Sequence, residues 1–265
     1  MMHAPIVTKA ARPLDLACAG CRSGTVLPVA FSMAFQPIVD VAAGRVFAYE
    51  ALVRGQDGQS AGDVLARIEP DMIYKFDQAC RVKAIELAGR LFAPDDAKLS
   101  INFMPNAVYE PDACIRASLM AARRARFDPR RLMFEFTENE PMRDIAHVRR
   151  IAASYRTRGF TVAIDDFGAG HSGLTLLADL QPDVVKLDMA LIRGIDACHS
   201  RQAIVGGFVQ IAKSLGITCV AEGVETAEEL RTLIAIGIRL VQGYVLAKPA
   251  FEALPDIRSC HPAAA

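Results

Sequence analysis

Short apolar runs alternate with longer amphipathic segments along most of this chain. The first two runs, 33–39 and 46–53, have the length and composition of buried strands. Only the turn-like residues 40–45 separate them, which is too few for a helical crossover between parallel strands. We therefore predict that the first two strands pair as an antiparallel hairpin.

Beyond this hairpin, strand-like and helix-like segments follow one another in turn. Within 71–91, apolar residues such as Phe76 and Leu87 recur at helical spacing. Thr226 and Glu229 have the spacing of a capping box at the start of a helix. The pattern predicts strands over 98–103, 131–136, 160–164, 183–187, 217–221 and 238–241, and helices over 71–91, 111–127, 141–158, 200–215 and from 226 onward.

Eight strands, with helices between them from the second strand onward, are typical of a (β/α)8 barrel. The fold class predicted from the sequence is therefore α/β, a modified TIM (β/α)8 barrel whose first strand is antiparallel to the second. We expect an irregular leader over 1–30, one barrel domain over 31–255 and a flexible tail over 256–265.

Composition and charge narrow the function classes. Hydrophobic residues make up 52% of the 265 residues, and 30 basic side chains balance 30 acidic ones. Zero net charge argues against a protein that binds nucleic-acid polymers or membrane surfaces. No apolar run approaches the roughly 20 residues of a membrane span, and the N-terminus lacks the apolar stretch of a signal peptide. We expect a cytoplasmic protein.

The cysteines support this expectation. There are seven, an odd number, and Cys80, Cys114 and Cys219 lie in apolar segments, which favours reduced core thiols. Cys18 and Cys21 form an isolated Cys-x-x-Cys without a second pair. We interpret this pair as part of an inert leader, and a zinc site or redox input is the alternative.

Polar residues occur where most of the predicted strands end. In a barrel of this kind the chemistry lies at the carboxyl ends of the strands. Asp165 and Asp166 follow one strand directly, and Gly168 and Gly170 behind them allow a tight turn. The complete set is Glu50, Asn102, Glu135, Asp165, Asp166, Lys186, Glu222 and Gln242.

The acids of this set point to a metal centre. Taken alone, Asp165 and Asp166 could be a solvated acidic turn, but four or five carboxylates at one barrel mouth cannot all stay ionised without cations. Oxygen ligands select magnesium or manganese over zinc. Lys186, the sole ammonium in the set, could steady a developing charge. Two divalent ions with a lysine nearby are the apparatus for hydrolysing a phosphodiester.

Eight short motifs follow one another along the chain. They are Phe35-Gln-Pro-Ile-Val-Asp40, Glu50-Ala-Leu52 with Arg54, Asn102, Glu135-Phe-Thr-Glu138, Asp165-Asp-Phe-Gly-Ala-Gly-His171-Ser, Lys186-Leu-Asp188, Ala221-Glu-Gly-Val-Glu-Thr226 and Val241-Gln-Gly-Tyr244. In content and order they resemble the motifs of the EAL domain, the family of bacterial cyclic di-GMP phosphodiesterases. The resemblance extends from about residue 31 to about residue 250.

The resemblance implies that two Mg²⁺ or Mn²⁺ ions help to open one phosphodiester bond of cyclic di-GMP, giving linear 5'-pGpG. Implied metal ligands are Glu50, Asn102, Glu135 and Asp165 for the first ion, and Asp165, Asp166 and Glu222 for the second. Implied catalytic residues are Lys186, which positions the attacking water, Glu222, which helps to deprotonate it, Glu50, and Glu138, which holds the loop after Asp166. Implied substrate contacts are Gln36, Arg54 and Gln242.

Three positions depart from the family pattern without removing a charged group, and Ala169 in the glycine loop is the mildest of them. Gly55 stands where many members have an aromatic residue, and Phe103-Met104-Pro105 follows Asn102 in place of a small polar residue. We expect Ca²⁺ to inhibit, because its looser shell fits poorly where a tight octahedral ion is needed. The family also suggests a homodimer and a regulatory protein partner. The alternative function is a catalytically silent cyclic di-GMP receptor or protein-interaction module.

Overall fold

The structure is a computed structural model that describes residues 27–93, 97–104, 114–137, 144–169 and 173–257. The Cys-x-x-Cys of the leader and most of the predicted tail therefore lie outside the described residues. So do the first residues of the predicted helices over 111–127 and 141–158. Of the helices that are described, none combines the length and the apolar character needed to cross a bilayer.

The chain's first two strands form the predicted hairpin. β1 (Phe31–Asp40) pairs antiparallel with β2 (Arg45–Gly55) along its whole length. Asp40 stabilises the turn because its carboxylate accepts hydrogen bonds from the backbone N–H groups of Ala42 and Ala43. Gly44 closes the turn with a φ of 64°, a left-handed conformation that favours glycine.

Strands and helices alternate through the rest of the chain. The strands are β3 (Lys98–Phe103), β4 (Leu132–Thr137), β5 (Thr161–Phe167), β6 (Val184–Leu187), β7 (Thr218–Ala221), β8 (Leu240–Val241) and β9 (Ala250–Phe251). The helices are α1 (Ala61–Leu65), α2 (Ile73–Leu91), α3 (Arg116–Ala125), α4 (Ile145–Thr157), α5 (Gly173–Leu180), α6 (Met189–Ile192), α7 (His199–Leu215) and α8 (Ala227–Ile236). Short 3-10 turns lie at Pro70–Met72, Pro129–Arg131 and Ile195–Ala197.

The sheet closes into a barrel. Strands β2 to β8 are parallel neighbours in chain order, and β1 completes the ring by pairing antiparallel with both β8 and β2. The predicted modified (β/α)8 barrel with an antiparallel first strand is therefore confirmed. The pattern did not predict β9, which pairs with the other end of β1 beside the short β8.

The structure differs from the predicted elements at the end of β5 and at three short helices. β5 extends three residues beyond the predicted end, so that Asp165 belongs to the strand and lies in register with Thr137 of β4. The sequence pattern also missed α1, α5 and α6. These helices have five, eight and four residues, which is too short for a helical period to stand out from its surroundings.

A layer of apolar side chains fills the barrel below its carboxyl end. We call these residues the floor layer: Ile38, Ala48, Met133, Ala163, Val184, Val220 and Leu240. Each is two positions along the chain from a polar residue of the predicted site, such as Ala48 before Glu50 and Val184 before Lys186. Since side chains alternate between the two faces of a strand, the polar residues face the same interior, above the floor.

Candidate active site

Lys186 lies at the centre of the barrel mouth. Its side chain is only 1% exposed, and its Nζ is 2.7 Å from Glu222 Oε1, 2.8 Å from Asp165 Oδ1, 3.0 Å from Glu135 Oε2 and 3.4 Å from Glu50 Oε2. Carboxylates from β2, β4, β5 and the residue after β7 thus meet one ammonium. The convergence follows from parallel strands whose carboxyl ends share one barrel face.

The cluster holds more negative groups than one lysine can neutralise. Burial, with the nearby Glu50 and Asp165, raises the pKa of Glu135 to about 8, although Lys186 acts in the opposite direction. Burial also raises the pKa of Glu222 well above its ordinary value. Burial by itself would lower the pKa of Lys186, but the surrounding carboxylates hold it well above normal. Additional cations would therefore be bound favourably here.

Neutral polar side chains fix the orientation of the carboxylates. Glu50 Oε2 accepts a hydrogen bond of 2.7 Å from Gln242 Nε2, and Glu50 Oε1 accepts one of 3.2 Å from Asn102 Nδ2. Gln242 Nε2 also lies 3.3 Å from the Gln36 side-chain oxygen. The hydroxyl of Ser100 donates to Glu135. Each bond holds an acceptor in place without adding charge.

A local backbone distortion brings Asp165 and Asp166 into the same site. Consecutive residues of a regular strand point to opposite faces. Asp166 instead has φ 55°, a left-handed conformation that aspartate tolerates better than most residues, and the β5–β6 register shifts at this point. Gly168 follows at φ 101°, and a Cβ there would contact Leu191 of the α6 segment.

The donor set fits divalent cations. Two groups of carboxylates have ligand atoms within 4.8 Å of one another, namely Glu50 with Glu135 and Asp165, and Asp165 with Asp166 and Glu222. Asp165 is common to both groups, as a bridging ligand would be. All of these donors are hard oxygen atoms, which suit Mg²⁺ or Mn²⁺. The Oε1 atom of Gln242 is buried and has no hydrogen-bond partner in the described part of the chain, so the site retains an acceptor for a ligand.

Not every predicted site residue joins this cluster. Arg54 lies at the same end of the barrel on β2, where its guanidinium donates to the Val53 carbonyl, and no contact to the cluster is seen among the described residues. Glu138 lies outside the described residues. Asp188 caps the start of α6 through Ala190 N–H, and Glu225 forms an ion pair with Arg193.

Sequence reasoning missed Ser100 and a cavity beside Asn102. Ser100 is two residues before Asn102 on β3. Because residues two apart on a strand point to the same face, the position of Ser100 could have predicted that its hydroxyl faces the barrel interior. The cavity has a volume of about 510 Å³ and mostly apolar walls from β1 to β3 and the first two helices, with Leu52, Tyr74 and Asp77 among its lining residues. No linear motif marks it, because its walls come from distant segments.

A modified barrel whose mouth gathers this many carboxylates has the donor set of a site for divalent cations. The EAL domain family model matches residues 29–249. This chain therefore belongs to the EAL domain family, as its motifs predicted.

Two curated relatives match most of this chain. The chain is 34% identical over 225 residues to the blue light- and temperature-regulated antirepressor BluF of Escherichia coli, covering 84% of this chain and 55% of that protein. It is 30% identical over 233 residues to the cyclic di-GMP phosphodiesterase PA2567 of Pseudomonas aeruginosa, covering 85% and 40%. The chain thus spans about half the length of the curated relatives it matches.

A solved structure resembles the chain over nearly its whole length. The crystal structure of a standalone versatile EAL protein from Vibrio cholerae O395, in its c-di-GMP-bound form, has a TM-score of 0.84 and 50% sequence identity. The match covers 88% of this chain and 98% of that one.

Proposed function

We propose that this chain is a bacterial phosphodiesterase that hydrolyses cyclic di-GMP to linear 5'-pGpG with the help of two divalent ions. The proposal rests on one observation: the ammonium of Lys186 lies within 3.4 Å of four carboxylates at the mouth of an EAL barrel. The phosphodiesterase relative and the c-di-GMP-bound structure support the substrate class.

The proposed ligands follow the two carboxylate groups of the site. Glu50, Asn102, Glu135 and Asp165 would hold one ion, and Asp165, Asp166 and Glu222 the other. When bound, Mg²⁺ or Mn²⁺ lowers the pKa of a water and neutralises charge on the phosphoryl oxygens. Glu50 is held ready for this role by Gln242 and Asn102, so little reorganisation is needed on binding.

Lys186 and Glu222 are the proposed catalytic pair. Lys186 is already charged and fixed by its neighbours, so its N–H groups can orient an attacking water and stabilise negative charge on the reacting phosphate. Burial raises the pKa of Glu222 above its ordinary value, which makes its carboxylate a stronger proton acceptor. We propose that Glu138 positions the loop that follows Asp166.

The surroundings of the site offer room for the substrate. The cavity of about 510 Å³ beside Asn102 is apolar enough to take a nucleobase. Arg54 stands on the same strand face as Glu50, where its guanidinium could donate two parallel hydrogen bonds to a phosphate. Gln36 and Gln242 are the other proposed substrate contacts.

Product analysis tests this proposal. The purified chain is incubated with cyclic di-GMP and Mn²⁺ or Mg²⁺, beside Glu50→Ala, Lys186→Ala and the control Lys213→Ala, which removes an exposed lysine at the end of α7. We expect pGpG from the native chain and the control, and none from the two site variants. In Ca²⁺ alone we expect no turnover. Binding of intact cyclic di-GMP without any product would instead establish the receptor function.

We also propose a homodimer formed through the segments after β5 and β6. Leu174 and Met189 lie there and are 59% and 47% exposed, respectively, which is the kind of apolar surface that a second copy would cover. Light scattering measures the assembly, and a fully active monomer would contradict it. A regulatory protein partner acting on the same segments is a further proposal.

A further inference from the structure

A second concave site lies at the opposite end of the barrel from the metal centre. It has a volume of about 480 Å³ and is lined by Arg45, Phe47, Lys98, Asp128, Arg130 and Arg131. These residues stand at or next to the first residues of β2, β3 and β4. We call this site the basal cavity.

The basal cavity is separated from the metal centre by the floor layer. Lys98 and Asn102 are four residues apart on the same face of β3, which corresponds to about 13 Å along a strand. Lys98 is the register partner of Ala48, a floor-layer residue. A ligand in the basal cavity would therefore not reach the carboxylates of the mouth.

The charge of the basal cavity is strongly unbalanced in a chain whose net charge is zero. Four of its lining side chains are cationic and one is acidic. Asp128 already forms an ion pair with Arg130, whose Nε and Nη2 both donate hydrogen bonds to it. In the described part of the chain, neither Arg45 nor Lys98 has a carboxylate oxygen within 4 Å.

Side-chain contacts hold two of the groups that line the basal cavity in place. The guanidinium of Arg131 lies over the ring of Phe127 at 4.9 Å and donates to the Ala97 carbonyl at 2.8 Å. Phe47 packs against the floor layer and lines the cavity as well. Two fixed groups, one cationic and one aromatic, thus frame the space.

The burial of Lys98 disfavours its charged form. Lys98 is half-buried at the lower opening of the barrel, and this burial lowers its pKa, with Asp183 acting in the opposite direction. Asp183 is already engaged with the backbone N–H of Val162 and the guanidinium of Arg156. A bound anion would offset the cost of burying this ammonium.

We propose that the basal cavity binds a small phosphorylated molecule, a free polyphosphate or a nucleotide, through Lys98, Arg45 and Arg131. Its volume falls within the usual range for small-molecule sites. Lysine as a point charge and arginine as a planar fork are the two side chains that bind phosphate oxygens most effectively.

Calorimetric titration with inorganic pyrophosphate tests this assignment. The full chain is first depleted of metal on a chelating resin, so that the carboxylates at the mouth repel anions. The variants are Lys98→Gln and Arg45→Gln, and Arg45 is exposed at the start of a strand, so the fold tolerates its change. The control is Arg239→Gln, a cation at the same barrel end that pairs with Asp40 outside the cavity.

We expect one binding site whose dissociation constant rises about tenfold or more in each of the two variants and is unchanged in the control. A parallel titration with ATP separates the two ligand sources. Equal affinities indicate the phosphate chain alone, and tighter ATP binding that is lost in Phe47→Ala indicates a nucleotide. The proposal is overturned if pyrophosphate does not bind, if the two variants bind as the native chain does, or if only Lys186→Met weakens binding.

Discussion

Lys186 Nζ donates a hydrogen bond of 3.0 Å to Glu135 Oε2 inside the barrel, and the two side chains are 1% and 0% exposed. The pair lies directly above the floor layer, so water does not solvate either group. Glu135 is also held by Ser100. The metal-free site therefore depends on Lys186 for its only internal positive charge among the described residues that surround it.

Replacing Lys186 with methionine should destabilise the metal-free protein by about 3 kcal/mol, because the carboxylates around it lose their counter-charge. Mn²⁺ should recover most of this loss, since the ion takes over the neutralisation. Urea unfolding with and without Mn²⁺ measures both effects. The control Lys213→Met should change little, and a Lys186→Met protein as stable as the native one without metal would contradict the electrostatic account.

Metal binding should release protons. Because the pKa of Glu135 is raised to about 8, this carboxyl carries a proton at neutral pH and must lose it to act as a ligand. The affinity for Mn²⁺ should therefore increase as pH rises towards 8, by up to about tenfold per pH unit for each proton released.

Calorimetry in two buffers of different ionisation enthalpy counts the released protons. In Glu135→Gln, both the proton release and the pH dependence should shrink. An Mn²⁺ affinity that stays constant between pH 6 and about pH 8 would argue against a protonated Glu135.

Glu229 should stabilise the fold at neutral pH and lose that effect in acid. It is 4% exposed. Its burial alone would raise its pKa, but the N–H groups of Glu225, Gly194 and Thr226 hold that pKa below the ordinary 4.5. A lowered pKa in the folded state means stabilisation above the unfolded pKa that is lost as pH falls through the folded one.

Glu229→Gln should therefore cost about 1–2 kcal/mol at pH 7, with the difference from the native protein narrowing below about pH 4. Thermal unfolding across this pH range is the measurement. The control is Glu228→Gln, which changes an exposed neighbour paired with Arg231 and should have little effect. A deficit that does not change with pH would mean that Glu229 acts by packing alone.

Gly243 is a position where the backbone leaves no room for a side chain. A Cβ there would clash with the backbone O and N of Val224, which lies two residues after Glu222. Gly243→Ala should cost about 1–3 kcal/mol and reduce hydrolysis, because it displaces the adjacent Gln242 from Glu50.

The matched control is Gly207→Ala in α7, where a Cβ meets nothing within 4 Å. This change should stabilise the protein by about 0.5–1 kcal/mol, since alanine favours helix more than glycine does. Chemical unfolding and turnover of both variants measure the contrast. Equal effects of the two substitutions would refute the steric explanation.

The sequence by itself determined the barrel, because its evidence is local. Strand and helix periods, the short connection of the first hairpin and the capping box of Thr226 with Glu229 are all properties of neighbouring residues. The strand-end position of each polar residue could also be read, since parallel strands place their carboxyl ends on one face. The short helices α1, α5 and α6 escaped because they offer too little periodicity.

Only the tertiary structure decided how these residues meet. The left-handed backbone of Asp166, the hydroxyl of Ser100 beneath Glu135 and the four carboxylates around Lys186 depend on distances between segments far apart in the chain. The basal cavity likewise joins the starts of three separate strands. Hydrophobic patterning specifies which face of a strand is buried, but barrel closure sets which buried side chains become neighbours, and thereby sets their pKa values.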